Sequence, residues 1–277
     1  MKTGNTLLLL FAIILLANCK KKPEEPYSVD NILTDNALAA VYFHTVFREA
    51  ENTWALVDSI IKYVSETYEI PANRPASKTL TYNADTDTVT VKYNEWKTGG
   101  HLLSGTMYIT FLKDAYRVGD AKADVKLDDF SINGQTVTGE SRITYKKVNN
   151  SQTDHFSYTL LDGAAIREKG TSMPVIITGI ISNGQYNRIE GGETLEQEDD
   201  IWEYSGRMTG TLGKALSMKY ANEVQSSFQG ENGTVHFTTD CKFAEQGIAK
   251  ITIAGRPDIF YEYYCSGVYY ETVTHVD

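Results

Sequence analysis

The stretch Thr79-Leu80-Thr81-Tyr82-Asn83-Ala84-Asp85-Thr86-Asp87-Thr88-Val89-Thr90-Val91-Lys92-Tyr93 decides the fold. On each side of a polar centre, β-branched or aromatic residues alternate with period two, the pattern of a half-buried strand. The centre, residues 83–88, carries the Asn, Asp and Thr side chains that favour turns, so the stretch predicts a β-hairpin. The same texture continues to the end of the chain. Further strands are expected over 105–112, 121–132, 136–146, 155–161, 174–182, 201–211, 234–239, 248–254 and 259–273. Asn133-Gly134, Asn183-Gly184 and Asn232-Gly233 have the composition of two-residue hairpin turns. Their Asn positions lie 50 and 49 residues apart, a candidate repeat whose flanking residues match poorly. No helical segment separates these runs, so the sheet should be antiparallel.

Upstream, residues 27–70 contain neither Gly nor Pro. Phe43, Phe47, Ala50, Trp54, Val57, Ile61, Val64 and Tyr68 recur at alternating steps of 4 and 3, one apolar stripe on a helix. His44, Arg48, Glu51, Asp58, Lys62 and Glu66 lie beside or opposite that stripe, a face of mixed charge unlike the basic face of a membrane-surface helix. Thr34 or Asp35 offers an N-cap, and Pro71 to Pro75 a stop, which predicts a helix over 35–68 about 50 Å long. The expected fold is therefore α+β and predominantly antiparallel β. A long N-terminal amphipathic helix should pack on a twisted β-meander or partly closed barrel, in a single domain over 31–277.

The first residues read as an address. Lys2 precedes an unbroken apolar run over 7–17, too short to span a bilayer, where about 20 residues are needed, but the length of a signal-peptide core. The run ends Leu16-Ala17-Asn18-Cys19, which resembles a bacterial lipobox, with Asn18 in place of the usual small residue. Residues 1–18 are thus expected to be a lipoprotein signal peptide and Cys19 the lipid anchor, its acyl chains holding the chain on the membrane. Residues 19–30, with Lys20-Lys21-Lys22-Pro23-Glu24-Glu25-Pro26, read as a charged, Pro-interrupted tether. Lys20 after the Cys does not look like an inner-membrane retention signal. The expected location is the cell outer membrane, on its periplasmic or its external side.

Composition narrows the functional classes. Lys and Arg total 26 against 36 Asp and Glu, a net charge of −10 that argues against a nucleic-acid partner. Three Cys and five His exclude a Cys-rich zinc module. With Cys19 taken by lipid, Cys241 and Cys265 are left in an oxidising compartment, where they could close a loop of about 25 residues. Two free thiols, or half of a metal site, are the alternatives; no His lies close enough in sequence to complete a zinc set.

Each candidate for chemistry meets a plainer reading. Ser59-Ile60-Ile61-Lys62 fits the S-x-x-K nucleophile pattern, but the companion S-D-N and K-T-G motifs are absent. His44, His101, His155, His236 and His275 are scattered with no ligand-pair spacing. Asp85 and Asp87 alternate as in a calcium loop but lack its Gly and distal Glu. Glu190, Glu193, Glu196, Glu198, Asp199 and Asp200 crowd a Gly-Gly-containing loop. Such a loop could hold Ca²⁺ or supply a carboxylate pair to a glycan hydrolase, although a solvated loop is the ordinary reading and no cofactor is expected. In the C-terminal strands, Tyr261, Tyr263, Tyr264 and Tyr270 could form an aromatic platform for a ligand, against the plainer role of sheet packing.

Two segments carry a resemblance. Ser104-Gly105-Thr106-Met107-Tyr108-Ile109-Thr110-Phe111 and Phe130-Ser131-Ile132-Asn133-Gly134-Gln135-Thr136-Val137-Thr138-Gly139 are similar to a pattern of uncharacterised Bacteroidota envelope lipoproteins. There a G-x-I-x-V/I-T strand leads to V-N-G-x-x-V-x-G. Cys241-Lys242-Phe243-Ala244 and Tyr264-Cys265-Ser266-Gly267 stand where that family has its C-terminal Cys pair, without its Pro and Asp-Gly-Gly turn. The resemblance implies a secreted, membrane-anchored, β-rich body and transfers no catalytic residue. The expected function is a non-catalytic, lipid-anchored envelope protein that binds an envelope protein or glycan through its sheet or loops. A structural component of a surface complex is the alternative, and an envelope glycan hydrolase the outsider.

Overall fold

A computed structural model describes residues 29–58, 67–71, 76–113, 116–147, 154–161, 164–168, 175–191, 200–212, 218–224, 227–228, 231–232, 235–238, 241, 244–253 and 257–269. The first described element is helix α1, Val29–Leu56. Five strands follow in hairpin succession: β1 (Thr67–Pro71), β2 (Ser77–Asn83), β3 (Thr88–Thr98), β4 (His101–Lys113) and β5 (Lys122–Ile132). Then come β6 (Gln135–Thr138), β7 (Glu140–Lys146), β8 (His155–Leu160), β9 (Ala164–Glu168) and β10 (Val175–Glu190). The rest are β11 (Ile201–Leu212), β12 (Met218–Val224), β13 (Ser227–Phe228), β14 (Glu231–Asn232), β15 (Val235–Phe237), β16 (Ile248–Ile253), β17 (Ile259–Tyr264) and β18 (Gly267–Tyr269).

All pairings are antiparallel, and all strands but the small β13–β14 pair belong to one sheet. The sheet branches at β5, which pairs β7 along one half and β6 at its other end; β10 likewise pairs β8 and β9. Since β6 pairs β9 and β7 pairs β8, the branches are two long strands, each interrupted once, inside one continuous meander. β1 and β18 end the strand order, and among the described residues no pairing joins them into a closed barrel. The deciding hairpin forms as read: Asn83 faces Thr88, and Leu80, Val89, Val91 and Tyr93 are all buried.

The helix departs from expectation in extent and in surroundings. The helix is described over Val29–Leu56, starting before the expected residue 35, and Thr67–Pro71, where its end is expected, is a strand paired with β2. Thr67-Tyr68-Glu69-Ile70 is rich in residues that favour a pleated surface, so Tyr68 fits the helical stripe by spacing alone. Nor is α1 laid on a sheet with one face in water: every residue over 39–51 is buried, more than three helical turns without an exposed position. Its partners come from many strands. Tyr42 meets His101 at the start of β4 and Trp54 stacks on Phe111 near its end, so β4 runs alongside the helix. Phe47 stacks on Tyr186 of β10 at 4.1 Å and meets Trp202 of β11 edge-on at 5.1 Å, while Asn36 reaches Tyr261 of β17. Strands of the meander surround the middle turns of α1, residues 39–51, and enclose its polar side chains along with its apolar ones.

The Asn-Gly pairs part company. Asn133-Gly134 turns between β5 and β6 with φ of 51° and 79°, the left-handed geometry of a type I′ hairpin. Asn183-Gly184 is no turn: it lies inside β10, with Gly184 opposite Tyr158 on one side and Gly206 on the other. A Cβ on Gly184 would lie 2.2 Å from Cε2 of Tyr204, so this glycine makes room for a ring. Asn232 belongs to β14, and Gly233 lies outside the described residues. The candidate repeat therefore has no structural counterpart.

Candidate functional site

Among the polar residues of α1, Arg48, Glu49 and Glu51 are enclosed, and each brings strands to itself. Glu49 accepts from Lys78 Nζ of β2 at 2.7 Å and from the Tyr93 hydroxyl of β3 at 3.1 Å. Burial pushes the Glu49 carboxyl up, but Lys78, with Arg48 and Tyr93, more than reverses this and holds it below the usual carboxylate value. Tyr93 moves the other way, raised by burial and by the Glu49 charge. Arg48 donates to Thr98 at 3.0 Å, and the charges of Glu49, Asp200 and Glu51 offset the burial that lowers its pKa.

A second cluster gathers at Arg188 of β10. Its Nη2 lies 2.6 Å from Glu51, its Nη1 3.4 Å from Asp154, and its Nε 3.6 Å from Asp200. The guanidinium sits over the Trp202 ring, 4.5 Å from its centroid. The Tyr116 hydroxyl also donates to Glu51, and Arg117 pairs with Asp154 at 2.5 Å. Side-chain exposure rises outward along this chain, from 2% at Glu51 and 7% at Arg188 to 14% at Asp154 and 38% at Arg117. Acids and guanidinium groups neutralise one another here, and the arrangement joins helix to strands.

His44 is the exception within this interior. It stacks on Phe237 of β15 at 4.0 Å and lies 5.3 Å from the Tyr186 ring, and neither ring nitrogen has a hydrogen-bond partner among the described residues. Burial, then the charges of Arg48 and His101, press its pKa well below the ordinary histidine value.

On the opposite face of the sheet, strand register builds a row that sequence spacing does not show. His155 of β8, Asn187 of β10, Glu203 of β11 and His236 of β15 stand side by side across four strands. His155 Nδ1 and Asn187 Oδ1 are 2.7 Å apart, Asn187 donates to Glu203 at 3.2 Å, and His236 Nε2 lies 3.7 Å from Glu203. Two of the scattered histidines thus share one polar ladder, and only the pairing register could have revealed it.

The sequence candidates are distributed as follows. Asp85 and Asp87 belong to the first hairpin turn, where Asp87 accepts from Tyr82 at 2.8 Å and Asn83 Oδ1 accepts from the Asp85 N–H at 2.9 Å. Glu190 is exposed at the end of β10, whereas Asp200 is buried and faces Arg188, so these two do not form a shared solvated site. Glu193, Glu196, Glu198 and Asp199 lie outside the described residues, as do Cys19, Ser59, Lys62, Tyr270 and His275. Among the described residues no group of three or more His, Cys, Asp or Glu side chains could hold a metal ion. Tyr261 and Tyr263 are 1% and 2% exposed, with their hydroxyls 3.1 Å apart in the interior, so they are core residues and leave the proposed platform. Tyr264 points outward, as the strand alternation requires. Cys241 and Cys265 are joined in a disulfide with Cα atoms 4.5 Å apart.

No protein-family model, no curated protein and no solved structure matches this chain.

Proposed function

We propose that this chain is a lipid-anchored, non-catalytic protein of the bacterial outer membrane that serves as a structural or binding component of an envelope assembly. The observation that carries the reading is the apolar run over 7–17 ending in Leu16-Ala17-Asn18-Cys19, followed by a charged, Pro-interrupted tether. The resemblance to Bacteroidota envelope lipoproteins is consistent with it. The Cys241–Cys265 disulfide supports a route through an oxidising compartment. Against the hydrolase on the Glu190 to Asp200 loop, Glu190 is exposed while Asp200 is buried against Arg188, so these two carboxylates do not face each other. Between binding and assembly, the burial of Tyr261 and Tyr263 favours assembly, because half of the suspected ligand platform is core.

Two measurements test this reading. Cys19→Ser should move the protein from the membrane fraction to the soluble one; a variant that stays membrane-bound would overturn the anchor. Crosslinking on intact cells, followed by purification of the tagged chain, should recover a reproducible envelope protein. Recovery of the chain alone from the surface would instead favour a soluble or glycan ligand.

A further inference from the structure

The outward face of the β17–β18 hairpin carries a charge, Glu262, that no cation among the described residues answers. Glu262, Tyr264 and Tyr269 lie on one face of β17–β18, with Glu262 directly opposite Tyr269 and Tyr264 directly opposite Gly267. Gly267 has no side chain, and nothing lies within 4 Å of where its Cβ would stand, so the Tyr264 ring is uncovered on that flank. Both rings are exposed, Tyr264 at 46% and Tyr269 at 53%, and rank among the few large hydrophobic side chains of the described residues that face water. The Tyr264 hydroxyl donates to Glu262 at 2.6 Å, which orients the carboxylate beside the rings and leaves its other lone pairs open. On its other side Glu262 faces Ile248, and the nearby Lys250 pairs with Asp258 at 3.8 Å; among the described residues no cation pairs with Glu262. The turn that joins the two strands contains Cys265, bonded to the buried Cys241, so the hairpin is pinned beside the exposed rings.

A carboxylate that pairs with no cation among the described residues and lies beside two exposed tyrosine rings is complementary to a planar cation that stacks on a ring while donating to the carboxylate. We propose that Tyr264, Glu262 and Tyr269 form a docking tray for an arginine side chain of the partner protein. This deepens the assembly reading and rests on it. Of the possible occupants, arginine fits best because its guanidinium meets both demands at once and the chain as a whole carries a charge of −10. A neutral sugar would use the rings but leave the carboxylate charge unanswered.

The test uses the full chain in detergent micelles and a labelled, end-capped peptide Gly-Arg-Gly-Arg-Gly, with its citrulline counterpart and chitohexaose as comparisons. Binding is read by fluorescence anisotropy, or by competition for chitohexaose. The arginine peptide should bind, and the citrulline peptide should bind at least about fivefold more weakly. Glu262→Gln, Tyr264→Ala and Tyr269→Ala should each weaken binding of the arginine peptide about fivefold, whereas Tyr264→Phe, which keeps the ring, should retain it. Unchanged melting with an intact disulfide will show that the variants are folded. Equal affinity for Tyr264→Ala and Tyr269→Ala would mean general attraction to an acidic protein and would overturn the tray, as would binding of chitohexaose in place of the peptide. Failure here is separable from failure of the assembly reading. If crosslinking in cells still recovers the partner with the Tyr264→Ala and Glu262→Gln chains, the assembly stands and only the tray falls.

Discussion

Glu51 and Arg188, 137 residues apart in sequence, meet at 2.6 Å inside the protein, with side chains 2% and 7% exposed. The contact fixes the far turns of α1 to the middle of the meander, and breaking it from either side leaves a charge buried. Glu51→Ala is expected to cost about 3–5 kcal/mol of stability. Arg188→Ala should cost at least as much, because it removes the guanidinium that faces Glu51, Asp154 and Asp200 at once. The double change Glu51→Leu with Arg188→Met should recover much of the loss, since a buried pair replaced by apolar groups of similar size is often neutral. Thermal melting of the four proteins decides this; wild-type melting in Arg188→Ala would mean that the pair holds nothing.

Acid should weaken the fold in two stages. The folded chain refuses a proton at His44, whose pKa lies well below the ordinary value, while the unfolded chain accepts one below about pH 6.5. The stability this contributes is complete above that pH and is lost as pH falls toward the folded pKa. Glu49, depressed by Lys78 against the pull of burial, contributes stability that is complete above about pH 4.5 and lost as pH falls through its folded value. His44→Phe keeps the stack on Phe237 and removes the titration. Its stability should therefore depend less on pH between about pH 6.5 and 5, by up to about 1.4 kcal/mol per pH unit. An identical slope in wild type and variant would assign the effect to another group.

What could be read from the sequence was local. Period-two alternation placed β2, β3, β5, β8, β11 and β16 within a few residues, because side chains on a half-buried strand must alternate. The helix was legible in existence but not in surroundings: a 3.6-residue stripe reports one apolar face and cannot report that His44, Arg48 and Glu51 meet stacking rings and opposite charges rather than water. Those partners come from strands far along the chain, as do the neighbours in the His155–Asn187–Glu203–His236 ladder, and register between distant strands leaves no local signature. Tyr261 and Tyr263 differ from Tyr264 in strand parity, which is why the described tyrosines of the expected platform divide into core and surface.

Gly184 tests a different kind of ambiguity, since Asn-Gly marks either a positive φ or a need for space. Alanine at 184 would put its Cβ 2.2 Å from the Tyr204 ring and 2.9 Å from the hydroxyl, in a strand paired on both sides. Gly184→Ala is expected to destabilise by about 1–3 kcal/mol, and Tyr204→Leu in the same chain should relieve part of that cost. Gly134→Ala meets nothing within 4 Å but must hold φ near 79°, so its cost of about 1–2 kcal/mol should be untouched by Tyr204→Leu. Additive effects at Gly184 and Tyr204 in a double-mutant cycle would refute the steric account.

The disulfide offers a prediction tied to where it sits. Cys241 and Cys265 close a loop with a sequence separation of 24, and Cys265 lies at the turn between β17 and β18, next to the sheet edge. On the chain-entropy account a loop of that length stabilises by about 3 kcal/mol. For a chain of this size such a loss corresponds to a fall in melting temperature of about 6–12 °C on reduction. Because the bond pins an edge hairpin, reduction should also raise amide exchange over β17 and β18 before it affects β3, β4 or β5, whose pairings lie elsewhere in the sheet. Melting and exchange of the reduced and alkylated protein check both statements. Confirmed reduction with unchanged melting would deny the bond any stabilising role, and exchange that rises evenly across the sheet would deny it a local one.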